Sequence, residues 1–280
     1  MVKITPRFAI ALCTCVAAAA QDQFSGSVTT PHFDIRFREG SRAEASVDRV
    51  ASLVEADLAL ILRELGLDRF EATIRLCLYD DVDELQRVTG VPAAGYSVPL
   101  CSHVPHDNDQ TRRHELVHVI AERFREKGPE ARNLFFAEGL ANAVLRFVDD
   151  VHVDCVAAFH RQRGDLPAMK ELHELADFYG WLQQHPFVGS YDVAGSWMRF
   201  LLDAHGAAKV RKYYKGVPAK AAFGKDVAAL EEAWHAHLDA VVIRDGTRRL
   251  LQRRLGRSPA ERDPDAASLA TILEPGSAWR

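Results

Sequence analysis

A chain of 280 residues with 35 basic and 39 acidic side chains, 48% hydrophobic and 26% charged, has the profile of an ordinary globular protein, which excludes a fibrous or mostly disordered one. The formal charge is −4, and no run of Lys or Arg offers a nucleic acid an electrostatic footprint, so no nucleic-acid partner is expected. One domain, or one domain with lobes, fits the length.

The first twenty residues stand apart. Lys3 and Arg7 precede an apolar run from Phe8 to Ala20 that ends in the small residues Ala18, Ala19 and Ala20. That order reads as a secretory signal peptide over residues 1–20, and it implies a secreted or periplasmic protein. The run is shorter than the ~20 residues of a permanent helical span, so no stable membrane span is expected. Cys13 and Cys15 follow Leu12 and Thr14, where a lipid-attachment signal wants a small residue.

The remaining chain divides into an N-terminal α/β lobe with an edge strand over 21–108, a helical lobe over 109–255 and a flexible tail over 256–280. The alternation from Thr29 to about Arg38, centred on Phe33, Ile35 and Phe37, predicts a half-buried strand. Ala43 to Leu65 carries apolar residues at helical spacing and closes on Gly66. A second strand is predicted over Ala72 to Tyr79, a short helix from Val82 to near Gly90, and a third extended piece from Ala94 to His103. After Asp109 the pattern is mainly helical, and from Gly256 it turns richer in Pro, Asp and Ser. The expected class is α+β, a small mixed sheet followed by a mainly helical half.

The chemistry concentrates at His114-Glu115-Leu116-Val117-His118, an H-E-x-x-H pattern. Residues four apart share a helical face, so both imidazoles can point at one metal ion, while Glu115 leaves at another angle and can reach a metal-activated water. Asn108 or Asp109 can cap this helix. Val117, Ile120, Ala121 and Phe124 form its core stripe, and Gly128-Pro129 ends it. Three fixed letters can also arise by chance on an amphipathic helix, so a third ligand is the test.

Glu138 supplies one. Nineteen residues separate it from His118, and it sits in Asn133-Leu134-Phe135-Phe136-Ala137-Glu138-Gly139-Leu140-Ala141-Asn142, a strongly apolar helical run. A second helix returning after a turn can bring this carboxylate to the imidazoles. A buried carboxylate is expensive unless matched, and a zinc ion would neutralise it.

These residues resemble the gluzincin metallopeptidases, and more narrowly the peptidase MA-like family. The segments Tyr191 to Leu201 and Asp226 to Trp234 are similar to downstream parts of that family, so the resemblance spans roughly residues 30 to 240. It implies a zincin-like fold and a zinc ion bound by His114, His118 and Glu138. It also implies Glu115 as general base, with a peptide or protein as substrate. Asn142 stands four residues after Glu138, where thermolysin-like relatives carry an Asp that orients a zinc-binding imidazole, so a role behind the ligands is implied with a departure in charge. Tyr191, and after it Tyr179, are the candidates to stabilise the oxyanion. The piece from Ala94 to Ser102 occupies the place of the edge strand that takes a peptide backbone by strand addition.

Other groups carry less. Cys77, Cys101 and Cys155 are an odd set with no CxxC element, which argues against a thiolate zinc cluster and leaves one disulfide or small buried hydrophobes. His103 with His106, and His235 with His237, lack a carboxylate at ligand spacing. No Gly-x-Ser-x-Gly elbow or phosphate-binding Gly loop is present. The expected function is zinc-dependent peptide-bond hydrolysis. The alternative is a catalytically inactive binding protein on the same fold.

Overall fold

The computed structural model describes residues 23–124, 134–173, 178–185 and 188–256. The predicted leader at 1–20, the Gly128-Pro129 turn and the tail beyond Gly256 lie outside the described residues. The chain is mixed α and β, a small mixed sheet followed by helices, and it divides into two compact units. No described helix is long and apolar enough to cross a membrane.

The first unit comprises the described residues up to Leu60 together with Arg69–Val119. Its elements run β1 (Gly26–Thr29), β2 (Phe33–Phe37), α1 (Arg42–Glu64), β3 (Ile74–Tyr79), α2 (Val82–Thr89), β4 (Tyr96–Val98), β5 (Cys101–Pro105) and α3 (Asp109–Ala121). The strands make one sheet in the order β1-β2-β3-β5-β4, with β2, β3 and β5 parallel and both outer strands antiparallel. Parallel neighbours need a crossover, and α1 supplies it from β2 to β3 with Val47, Val50, Val54, Leu58 and Ile61 buried at helical spacing. Phe33, Ile35 and Phe37 are buried while Asp34 and Arg36 are only partly covered, as the alternation predicts.

Two features differ from the predicted extended pieces. Gly26–Thr29 adds an antiparallel edge strand paired with β2. Ala94 to His103 is a tight hairpin rather than one strand, because Pro99 presets its φ and Leu100 takes φ 58°, reversing the chain between Val98 and Cys101. A positive φ at leucine has no sequence signal.

The second unit comprises Ile61–Asp68 with the described residues from Ile120 on. Its helices include α4 (Leu134–Leu145), α5 (Val153–Arg163), α6 (Met169–His173), α7 (Phe178–Gln184), α8 (Ser190–His205), α9 (Ala207–Tyr214), α10 (Ala219–Phe223), α11 (Val227–Asp239) and α12 (Asp245–Leu255). Small residues let α4 and α8 touch closely. A Cβ on Gly139 would lie 2.8 Å from the Ala194 carbonyl oxygen, and one on Gly195 would lie 2.8 Å from Asn142 Cβ. Ser196 Oγ donates to Asp154 at 2.6 Å, Trp234 Nε1 donates to Ser196 Oγ at 3.1 Å, and His237 Nε2 lies 3.0 Å from Asp154, so buried polar atoms tie α5, α8 and α11 together. A hairpin of β6 (Phe147–Val148) and β7 (Val151–His152) interrupts the helices where none was predicted. Its corner residues Asp149 and Asp150 both take positive φ, which the sequence pattern Asp-Asp does not announce as strongly as Asn-Gly.

Candidate metal centre

Helix α3 begins where Asn108 Oδ1 accepts from Thr111 N at 2.9 Å, so Asn108 is the capping residue of the two candidates. The next turn is anchored by charge. Asp57 of α1, 3% exposed, accepts from Arg112 Nη2 at 2.8 Å and from Arg113 Nε at 2.6 Å. Arg112 is itself only 1% exposed, so this is a buried, hydrogen-bonded ion cluster rather than a surface pair. Asp109 receives Arg49 as well as Arg112; burial pushes its carboxyl up, and those two guanidinium groups more than reverse the shift and hold it below the ordinary value. Both cationic residues, Arg112 and Arg113, stand immediately before His114, so the buttress fixes the rotation of the helix that carries the imidazoles.

His114 and His118 follow one turn apart. Their Nε2 atoms are 3.1 Å from each other and their rings are nearly perpendicular at 81°. The donor atoms of His114, His118 and Glu138 all lie within 4.8 Å of one another, a group able to hold a metal ion. Two imidazoles at ordinary zinc–nitrogen bond lengths in a tetrahedral site would have nitrogens about 3.3 Å apart, close to the spacing seen here. Two imidazole nitrogens and one carboxylate are a donor set that can hold a metal ion of the zinc kind. Val117, Ile120, Ala121 and Phe124 are buried, as the core stripe predicts.

Glu115 is 8% exposed. The chain entering the edge strand β4 runs against it: a Cβ on Gly95 would come 3.4 Å from Glu115 Cγ and 2.4 Å from Thr111 Cγ2. Only glycine lets this backbone pass so near the carboxylate. The place of Gly95 in a turn-rich stretch gives no hint of that approach.

Glu138 lies 9% exposed on α4 among the buried Phe135, Leu140 and Ala141. Asn142, one turn later and buried, donates from Nδ2 to Asp192 Oδ1 at 3.1 Å, and Arg254 Nη2 reaches the other oxygen of that carboxylate at 3.3 Å. Asp192 is a residue that sequence reasoning missed. Its only signal is an acid at the head of an apolar helix. Tyr191 is half-buried in the first turn of α8, beside Asp192, and Tyr179 falls in α7.

A second grouping lies in the sheet, built without any CxxC element. Cys77, Cys101 and His103 also bring their donor atoms within 4.8 Å of one another. Spacing along the chain could not show this, because the register between β3 and β5 assembles it. The Cys77 thiol donates to Cys101 and, with His103 beside it, draws the Cys101 thiol well below its ordinary value against the effect of burial; the same bond and burial push Cys77 up. The other histidines have separate partners: His106 Nδ1 lies 2.8 Å from Ser46 Oγ, and His237 faces Asp154.

Compared with protein families, with curated proteins and with solved structures, the chain matches none.

Proposed function

We propose that this chain is a zinc metallopeptidase of gluzincin type on a zincin-like fold, with His114, His118 and Glu138 as ligands. The observation that carries the reading is the convergence of those three donor sets within 4.8 Å, with the two Nε2 atoms 3.1 Å apart. A zinc ion held there would supply Lewis acidity and make a nearby water easier to deprotonate.

The chain's own groups do the rest. Glu115, adjacent in sequence to a ligand but aimed elsewhere, takes the proton of the attacking water and returns it to the leaving amine nitrogen. The water oxygen adds to the scissile carbonyl carbon, the C–N bond breaks, and no covalent enzyme intermediate forms. The edge strand β4, antiparallel to β5 and entered through Gly95 beside Glu115, gives a peptide backbone a strand to pair with. Tyr191 is proposed to donate to the developing oxyanion. Asn142, held by Asp192, is proposed to position the ligand helix rather than to carry charge. The N-terminal segment at 1–20 supports a secreted or periplasmic location.

The test compares the native chain with Glu115→Gln on a peptide library, after zinc content has been measured in both. Zinc in both and cleavage only in the native chain is the expected result. Equal zinc and no cleavage in either leaves the inactive binding protein as the reading, and no zinc in reconstituted native chain removes the peptidase.

A further inference from the structure

We propose that Cys77, Cys101 and His103 form a second metal site, separate in all its residues from the first, that takes one soft, thiophilic ion of the Zn2+ or Cu+ kind. The proposal is independent of peptide hydrolysis.

Sheet register makes the site. In the parallel pair β3 and β5, Cys77 stands opposite His103 and Arg75 opposite Cys101. Alternation puts Arg75, Cys77 and Tyr79 on one face of β3, and the paired Cys101 and His103 share that face from β5. Two sulfurs and one imidazole therefore project from adjacent strands toward one point. The distances agree. Cys101 Sγ is 3.3 Å from His103 Nε2, and sulfur and nitrogen on one tetrahedral zinc ion would be about 3.5 Å apart from ordinary bond lengths. Both cysteines are free thiols.

The imidazole is held for the task. Tyr79 Oη lies 2.9 Å from His103 Nδ1 and can accept the proton that Nδ1 carries when Nε2 serves as the ligand atom. Occupation of Nδ1 leaves Nε2 facing the sulfurs, the arrangement in which an outer hydrogen bond sets the ligand nitrogen. Tyr96 stacks on the same ring with centroids 4.4 Å apart and planes 6° from parallel, which stops it rotating.

The site is also reachable. Cys77 and His103 are 2% and 3% exposed, but both line a cavity of about 740 Å³ that Cys101, Asp34, Arg75 and Phe24 also border. That volume admits a cation with its water and leaves room for a fourth ligand. Two thiolates select against hard ions such as Mg2+ and Ca2+. On binding, the two thiol protons pass to solvent, and two metal–sulfur bonds and one metal–nitrogen bond replace bonds from the ion to its waters, which are released.

The experiment uses full-length protein, reduced with a phosphine and freed of metal, and titrated with Co2+ as a coloured stand-in and then with Zn2+ and Cu+. The native chain and His114→Ala/His118→Ala are both expected to show the thiolate-to-metal charge-transfer absorption with Co2+, and Cys77→Ser/Cys101→Ser to lack it while keeping native circular dichroism. His103→Ala should weaken binding by about tenfold or more. Bound Zn2+ should protect Cys101 from iodoacetamide, read by mass spectrometry on the native chain, so the proposal is tested even if the double serine variant does not fold. Absence of the charge-transfer band in folded, reduced native protein, or alkylation of Cys101 at the same rate with and without Zn2+ and Cu+, overturns it. So does a Cys77–Cys101 disulfide that persists under reductant.

Discussion

The side-chain amide of Asn142 donates to the Asp192 carboxylate at 3.1 Å, across two helices so close that a side chain on Gly195 would collide with Asn142. This bond explains why an amide stands where the gluzincin resemblance implies an acid. A carboxylate in place of that amide would face Asp192 with no room to withdraw. Asn142→Asp is therefore expected to lower the unfolding free energy by about 1–3 kcal/mol, through the lost hydrogen bond and the opposed charges. Asn142→Asp/Asp192→Asn should recover most of it, because the donor and acceptor are exchanged. Urea unfolding of the two variants checks this, and an Asn142→Asp single variant as stable as the native chain would count against the account.

The parts of the molecule that could be read along the chain are those whose geometry is local. His114, Glu115 and His118 share one helix, and the 3.6-residue period alone puts the two imidazoles together. Glu138 was legible because a carboxylate in an apolar helix demands a partner. What escaped was set by long-range register and by backbone shape. Asp57 reaches Arg112 over 55 residues and Asp192 reaches Asn142 over 50, with no spacing rule to connect them. Cys77 meets Cys101 and His103 only because β3 and β5 pair in parallel. The β4–β5 hairpin turns on positive φ at Leu100, which has no sequence signal, and the β6–β7 hairpin on positive φ at Asp149 and Asp150, a weaker signal than Asn-Gly.

The close pass of Gly95 over α3 predicts a steric phenotype. Gly95→Ala puts a methyl group 2.4 Å from Thr111 Cγ2 and 3.3 Å from the His103 carbonyl oxygen. The backbone oxygen cannot easily yield, so a loss of about 1–3 kcal/mol is expected. Thr111→Ser removes one of the two obstructions, and Gly95→Ala/Thr111→Ser should regain part of the loss in thermal melts while Thr111→Ser alone changes little. Equal melting of Gly95→Ala and the native chain would show that the strand moves freely over the helix.

The buttress ahead of the motif predicts an asymmetry between two aspartates that serve the same arginine. Asp57→Ala leaves Arg112 buried without its main counter-charge and is expected to cost about 3–5 kcal/mol. Asp109→Ala removes a partner that is 37% exposed, whose contribution solvent screens, and should cost under about 1 kcal/mol. Chemical denaturation of both variants measures the difference; similar losses would place the anchor of α3 at its solvent end rather than at Asp57.

Acid should unfold the protein in two stages. Burial holds His152, His205 and His235 below their ordinary 6.5, so each is neutral in the fold and takes up a proton more readily when unfolded. Their contribution is complete above 6.5 and is lost as the pH falls from there through their lower folded values. Glu64 sits deeper in the acid range: burial pushes its carboxyl up, but hydrogen bonds from Arg199 at 2.7 Å and Arg146 at 3.2 Å bring it below 4.5. A depressed carboxylate stabilises above its unfolded value and loses that stabilisation as the pH falls through its folded value, so the decline should steepen below about 4.5. Glu64→Gln is expected to melt lower than the native chain at pH ~7, with the gap closing as the pH drops below 4.5. Melting curves taken from about pH 7 to about pH 3 on both proteins decide this, and a gap that stays constant across that range would mean that Glu64 acts by packing and not by charge.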